Sequence, residues 1–354
     1  MGNELSIVIP HHIDRWRHPI ASKMREVARR IPEIDFYSFS SPQTGEDLKL
    51  GEEFWGLEHI HKCGKMALVK QSFNAVHHAS ATPSNIAASL VSRARGACRT
   101  VHIYTASVEP HKEDPYWREY AWSVNHCQLL IAGAGTILRG IESRFGRTAD
   151  LVLINGVDHS FFDPIAAEEE VLETVNRRPF ALFVGALLPR KRADVLIRIA
   201  SRMPDMHFVM VGRPSLKIDG RKIVELIAQT PNIQYLGPRT KGFVRDLMAH
   251  AAILIFPSDL EGLSNVLIEA SAMGLPILAR PVSSMPEVVH EGITGWLLPV
   301  EPIEGWIARI REVVSWSQQE RSEFQYQARA LSQSKYSWDL IASKLRNFYF
   351  ANIV

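Results

Sequence analysis

Short apolar runs punctuate this chain, and amphipathic stretches separate them. Leu5–Ile9, Phe180–Val184, Phe208–Val211 and Ala251–Phe256 read as buried strands, each closed by Gly or Pro. Ala75–Ala79 and Thr100–Tyr104 end two further strand-like segments. Between them, Ser84–Arg99 has the spacing of an amphipathic helix with a basic end (Arg93, Arg95, Arg99). Leu129–Ala132 opens another strand followed by a helix, and Ile233–Gly237 is a strand ending in a Gly turn. The clearest helix is Asn265–Met273, where Val266, Leu267, Ala270 and Met273 fall at helical spacing. Ser264 is its expected N-cap, with a hydroxyl able to accept from first-turn amides, and Gly274 and Pro276 are its stop signals. A final helix is predicted across Tyr336–Tyr349, with Trp338, Leu340, Ile341, Leu345 and Phe348 as its apolar stripe. Strand alternating with helix argues an α/β fold with parallel sheets covered by helices.

Length divides this pattern. At 354 residues the chain exceeds one ordinary domain and suits two of ~150–180 residues. The linker is placed at Asp163–Arg178, which carries the acidic run Glu168–Glu170. A net charge of +2 gives no nucleic-acid signature. Cys63, Cys98 and Cys127 are odd in number and scattered, as in reduced thiols of a cytoplasmic protein. No apolar run approaches the ~18 residues of a membrane span, and MGNELSIVIPHH lacks a basic signal-peptide start. Gly2 and Ser6 fit a myristoylation pattern, but Leu5–Ile9 reads first as a core strand. Residues 15–30 carry six basic side chains against Glu26 alone. They are expected to form a loop and a helix with a solvated face; contact with an anionic acceptor or the inner membrane surface is the alternative. His59, His61 and Cys63 share one side of a possible strand, but no fourth ligand or standard zinc spacing accompanies them.

The candidate chemistry lies in Pro257–Pro276. A strand, a short Gly-containing loop and a helix start make an anion site, with the amides of Gly262, Leu263, Ser264 and Asn265 and the helix dipole supplying positive charge. Glu261 precedes the helix. Glu269 lies just over one turn inside it and suits two neighbouring ribose hydroxyls. The plain alternative is a surface helix with Glu269 solvated. A dinucleotide fingerprint fails at Gly133-Ala-Gly135, because its third glycine position holds Leu138.

Glu261-Gly-Leu-Ser-Asn-Val-Leu-Ile-Glu269 resembles the Glu-x7-Glu motif of retaining glycosyltransferases of family 4. Ser284-Met-Pro-Glu-Val-Val289, Glu291-Gly-Ile-Thr-Gly-Trp-Leu-Leu-Pro299 and Asn155-Gly-Val-Asp158 resemble further family signatures. The resemblance implies the GT-B fold: two Rossmann-like domains facing each other across a cleft. They are expected at 1–165, with helix 336–354 crossing back onto it, and at 166–335. It implies a sugar moved from a nucleoside-diphosphate sugar, UDP- or GDP-linked, to an acceptor hydroxyl with retained configuration. The acceptor would be a sugar, a lipid-linked group or a small molecule. By the same resemblance Glu261 and His102 serve catalysis, Arg190 and Lys191 join Gly262–Asn265 at the diphosphate, and Glu269 holds the ribose. Arg213, Arg239 and Thr240 fall near the base, and His12, His18 and Tyr104 on the acceptor side. The chain departs from the pattern where His11–His18 stands for a Gly-Gly loop, where Ile103 replaces an acid, and where Ala186 replaces an Arg. No Asp-x-Asp motif occurs, so no metal and no other cofactor is expected. The rival readings are a glycoside phosphorylase or sugar-nucleotide epimerase of the same fold, a catalytically silent sugar-nucleotide-binding subunit, and an NAD-dependent dehydrogenase.

Overall fold

A computed structural model describes residues 5–9, 19–39, 57–63, 73–78, 99–104, 117–175, 179–215 and 218–353, together with single helical positions at 87, 90–91 and 94. The chain is α/β and forms two units: Met1–Gly156 with Trp338–Val354, and Val157–Ser337.

The first unit holds a seven-stranded parallel sheet. Its strands are β1 (Leu5–Ile9), β2 (Ile34–Phe39), β3 (Ile60–Cys63), β4 (Ala75–His78), β5 (Arg99–Tyr104), β6 (Leu129–Ala132) and β7 (Leu151–Val152), in the order β3-β2-β1-β4-β5-β6-β7. Around it lie α1 (Pro19–Ala28), α2 (Trp117–His126) and α3 (Gly135–Phe145). Leu5, Ile7 and Ile9 are buried, so β1 is a core strand. The core is closed by the last helix of the chain, whose Trp338, Ile341, Leu345, Phe348 and Tyr349 cluster with Ile7, Val27 and Phe36. A side chain on Gly156 would run into the Trp338 ring at 2.5 Å, so this glycine is required by packing.

The expected solvated basic helix is different in fact. On α1, Lys23 and Arg25 are buried, and Arg29, just beyond it, is half exposed. The Lys23 amine donates to the Leu153 carbonyl at 2.5 Å, and burial lowers its pKa from 10.5 to about 7. The two histidines near β3 are engaged by separate partners. His59 meets the Ala28 carbonyl at 3.0 Å, and His61 meets Asp35 at 3.1 Å. Burial pushes the Cys63 thiol up to about 11. Helix α3 starts at Ala134 as N-cap, with no side-chain capping bond.

The second unit holds a six-stranded parallel sheet: β8 (Phe180–Val184), β9 (His207–Val211), β10 (Ile233–Tyr235), β11 (Ile253–Phe256), β12 (Ile277–Ala279) and β13 (Gly295–Leu297). Its order, β10-β9-β8-β11-β12-β13, is the doubly wound arrangement. The helices are α4 (Ala193–Ser201), α5 (Ile218–Ala228), α6 (Lys241–His250), α7 (Asn265–Met273), α8 (Met285–Val288), α9 (Glu304–Val314) and α10 (Gln318–Tyr336); α11 (Trp338–Asn352) belongs to the first unit. The predicted last helix is α11, and α10 ends immediately before it. Ser337 between them is extended (φ −63°, ψ 132°), with its neighbour Tyr336 accepting from the Val157 amide.

The expected linker is packed structure. Pro164–Ala166 and Glu169–Thr174 form 3-10 turns, Val171 is buried, and the Thr174 carbonyl accepts from Gln234 at 2.6 Å. The units part at 156/157, nine residues before the boundary expected at 165/166.

Candidate functional site

In a doubly wound sheet, the crossovers reverse direction at one point, and ligands gather beyond the strand carboxyl ends there. In the second unit that point lies between β8 and β11. The chain leaving β8 makes a 3-10 turn, Pro189–Lys191, and the chain leaving β11 is Pro257–Ser264.

These two segments meet through one carboxylate. Glu261 is 8% exposed, and its Oε1 lies 2.5 Å from Lys191 Nζ and 3.2 Å from Arg190 Nη1. Ser258 Oγ is 2.6 Å from the same oxygen. Arg190 also donates to the Leu260 carbonyl at 2.8 Å. Lys191 Nζ sits 4.9 Å from the centre of the Phe256 ring. Burial pulls the Lys191 pKa down; the Glu261 carboxylate pushes it back up, and Arg190 pulls it further down. A buried ammonium held by a single carboxylate is a charge that an incoming anion can share.

Helix α7 begins beside this pair and runs Asn265–Met273 as its periodicity predicts. Gly274 closes it at φ +67°, where a Cβ would meet Gln325 at 2.4 Å. The start differs from expectation. Ser264 occupies the N-cap with extended backbone (φ −80°, ψ 110°), yet its hydroxyl makes no capping bond. Among the described residues, the amides of Gly262, Leu263 and Ser264 meet no acceptor. Such amides at a helix start, with the dipole behind them, favour an anion.

Glu269 lies one turn into α7, and 17% of its side chain is accessible. Lys241 Nζ is 3.6 Å from its Oε1 and stacks 4.9 Å from the Phe162 ring. Burial raises the Glu269 pKa, and Lys241 opposes the rise. The expected polar-side carboxylate is thus a paired, largely enclosed one.

The remaining predicted residues scatter. Arg213 is exposed after β9. Arg239 is exposed, with its guanidinium 5.4 Å from the Phe243 ring. Thr240 is the N-cap of α6, and its hydroxyl accepts from the Phe243 amide at 3.2 Å, so that hydroxyl is already engaged. His102 and Tyr104 lie on β5, with His102 in register with His78 and Leu130. His12, His18 and the His11–His18 loop lie outside the described residues.

Sequence reasoning missed several participants. Ser258 and Ser283 both bind Glu261. Asp259 pairs with Arg192 at 3.2 Å and also with Arg280. Arg192 further grips Asp194 at 2.9 Å. The charged pairs join residues far apart in sequence, so only the fold brings them together.

A profile of the Glycosyl transferases group 1 family matches residues 178–315, the stretch that contains Arg190, Lys191, Glu261 and Glu269. The matched stretch lies within the second unit. The D-inositol 3-phosphate glycosyltransferase of Mycobacterium tuberculosis (strain H37Rv) is 28% identical over 228 residues, which are 61% of this chain and 47% of that protein. The chain thus matches about half the length of such relatives. Anabaena HepE, solved in complex with UDP and glucose, superposes with a TM-score of 0.77 at 14% identity, covering 98% of this chain and 99% of its own. A glycosyltransferase from Rickettsia africae superposes at 0.76 with 17% identity, covering 99% and 98%. The fold shared with these proteins is GT-B. The uncapped helix start and the Lys191–Glu261 pair thus occupy the switch point of the second unit's sheet.

Among the described residues no group of three or more His, Cys, Asp or Glu side chains could hold a metal ion. None of the described helices is long and apolar enough to cross a membrane.

Proposed function

We propose that the chain is a glycosyltransferase that moves a sugar from a nucleoside-diphosphate donor to an acceptor hydroxyl with retained anomeric configuration. One observation carries the reading: Lys191, Arg190 and the unpartnered amides of Gly262–Ser264 converge at the switch point of the second unit. Three sources of positive charge around one position suit a leaving diphosphate, and they act without a metal. Glu261, held among them, is assigned to the donor sugar and the positive charge that develops on it. The departing phosphate then takes the acceptor's proton. Glu269 is assigned to the ribose. Its carboxylate, once ionised, accepts from both hydroxyls, while Lys241 keeps it in place. His102 is assigned to the sugar by resemblance alone. Anabaena HepE was solved with UDP and glucose, which favours a UDP-linked hexose.

The test is a thermal-shift and hydrolysis screen of the full chain against UDP-, GDP-, ADP- and dTDP-sugars, with and without EDTA. A ligand at ~100 times its dissociation constant adds ~2.7 kcal/mol of stability. The expected result is one nucleotide that shifts the midpoint, accompanied by slow sugar release that EDTA leaves unchanged. Orthophosphate-dependent cleavage of a glycoside without nucleotide would replace the reading with a phosphorylase. A nucleotide shift with no sugar release would replace it with a silent binding subunit. Sugar release abolished by EDTA would remove the metal-independent step.

A further inference from the structure

Non-glycine residues seldom adopt positive φ, because the Cβ then crowds the backbone. Among the described residues only two do so, Arg192 at φ +52° and Ser283 at φ +55°. Both touch the same pair of side chains or their neighbours. Arg192 directly follows Lys191. Its guanidinium is gripped by Asp194 and Asp259, two residues before Glu261.

Ser283 lies between β12 and α8, and its hydroxyl faces the backbone of Glu261. The Glu261 amide donates to Ser283 Oγ at 3.1 Å, and the Ser283 hydroxyl donates to the Glu261 carbonyl. Ser284 Oγ stands 3.5 Å from that carbonyl as well. One hydroxyl thus occupies both polar groups of a single peptide residue. Such a bridge leaves the Glu261 backbone little freedom to rotate. The geometry points to Ser283 as a positioning residue for Glu261: its left-handed backbone is the conformation that delivers the hydroxyl to both groups. Strain retained at one residue, where the surrounding bonds over-determine it, marks a place where geometry matters more than local stability.

The inference rests on the proposed role of Glu261, so its test has a readout that does not need activity. Ser283→Gly removes the hydroxyl and the strain together, whereas Ser283→Ala removes the hydroxyl and keeps the strain. In both variants, hydrogen exchange of the peptide covering 257–264 is expected to rise while exchange elsewhere in the second unit stays the same. Ser283→Gly is expected to melt higher than Ser283→Ala. With a nucleotide sugar that the wild type hydrolyses, both variants should lose roughly 10- to 100-fold in kcat, because the reacting geometry loosens. The donor KM should change less than about twofold, because the diphosphate contacts remain.

Unchanged exchange at 257–264 would overturn the bridge. Raised exchange with an unchanged kcat would overturn its positioning role. If the wild type hydrolyses no nucleotide sugar, the transferase reading falls; the exchange data then decide by themselves whether Ser283 fixes Glu261.

Discussion

Helices α7 and α10 both begin at a serine with extended backbone, and the two serines behave in opposite ways. Ser317 before α10 accepts from the Glu320 amide at 3.3 Å, and Glu320 reaches back to the Ser317 amide at 2.8 Å, completing a capping box. Ser264 before α7 makes no such bond, and the three amides around it meet no described acceptor. A helix that satisfies its own first turn is closed to ligands. One that leaves the turn open, beside Lys191 and Arg190, is prepared for an anion that arrives from outside. The same residue type therefore closes a helix start in one place and leaves it open in the other.

The largest effect should come from the cation beside the open end. Lys191→Ala leaves Glu261 buried without its closest partner and removes one of the three charges proposed for the leaving group. Loss of a comparable transition-state donor costs ~10²–10³ in kcat, and sugar release from the donor found in the nucleotide screen is the assay. A Lys191→Ala variant within threefold of the wild type would remove the lysine from the account.

Next in size is the pH dependence of nucleotide binding. Burial holds the Glu269 carboxyl above its ordinary 4.5, with Lys241 opposing. The carboxyl then takes up its proton at a higher pH than a free glutamate does, and a protonated Glu269 loses one ribose acceptor. Nucleotide affinity should therefore begin to fall, as pH is lowered, before an ordinary glutamate titrates. Glu269→Gln should lack that part of the pH profile; calorimetric titrations of both proteins at several pH values provide the check. For stability the sign is opposite. The folded state holds this proton more tightly than the unfolded chain, so the contribution is present at low pH and is lost as pH rises through the folded pKa.

The comparison itself is sharpened by exchanging the caps. Ser317→Ala should cost ~1 kcal/mol of stability, a typical N-cap loss, and leave nucleotide affinity unchanged. Ser264→Ala removes no capping bond and should cost under ~0.5 kcal/mol, as a substitution without a named structural role does. Urea unfolding of the two variants separates these outcomes. Equal losses would show that Ser264 caps α7 in solution.

How far the sequence reached follows the range of the interactions. The bounds of α7 were legible because periodicity, Gly274 and Pro276 are local signals, and the structure ends the helix at Gly274. The absent cap at Ser264 was not legible, because sequence preference says where a cap can form and not whether the hydroxyl is used. Glu261, Lys191 and Arg190 were found by resemblance, and the fold brings all three to one point. Ser283 carried no local signal: its partner, Glu261, lies twenty-two residues away in sequence. The basic neighbours of Lys23 in sequence predict a solvated side chain. It is buried because β7 and α11, far along the chain, close over α1. The acidic run at 168–170 looked like a linker, yet the buried Val171 and Val175 pack that segment onto the second unit.

The most direct measurement is an amide chemical-shift titration of the labelled full chain with UDP. The account predicts that the amides of Gly262, Leu263 and Ser264 move most, while those of Ser317–Glu320 at the capped end of α10 stay in place. Saturable UDP binding that leaves Gly262–Ser264 unmoved, or that shifts both helix ends alike, would contradict the claim that the open end of α7 is the diphosphate site.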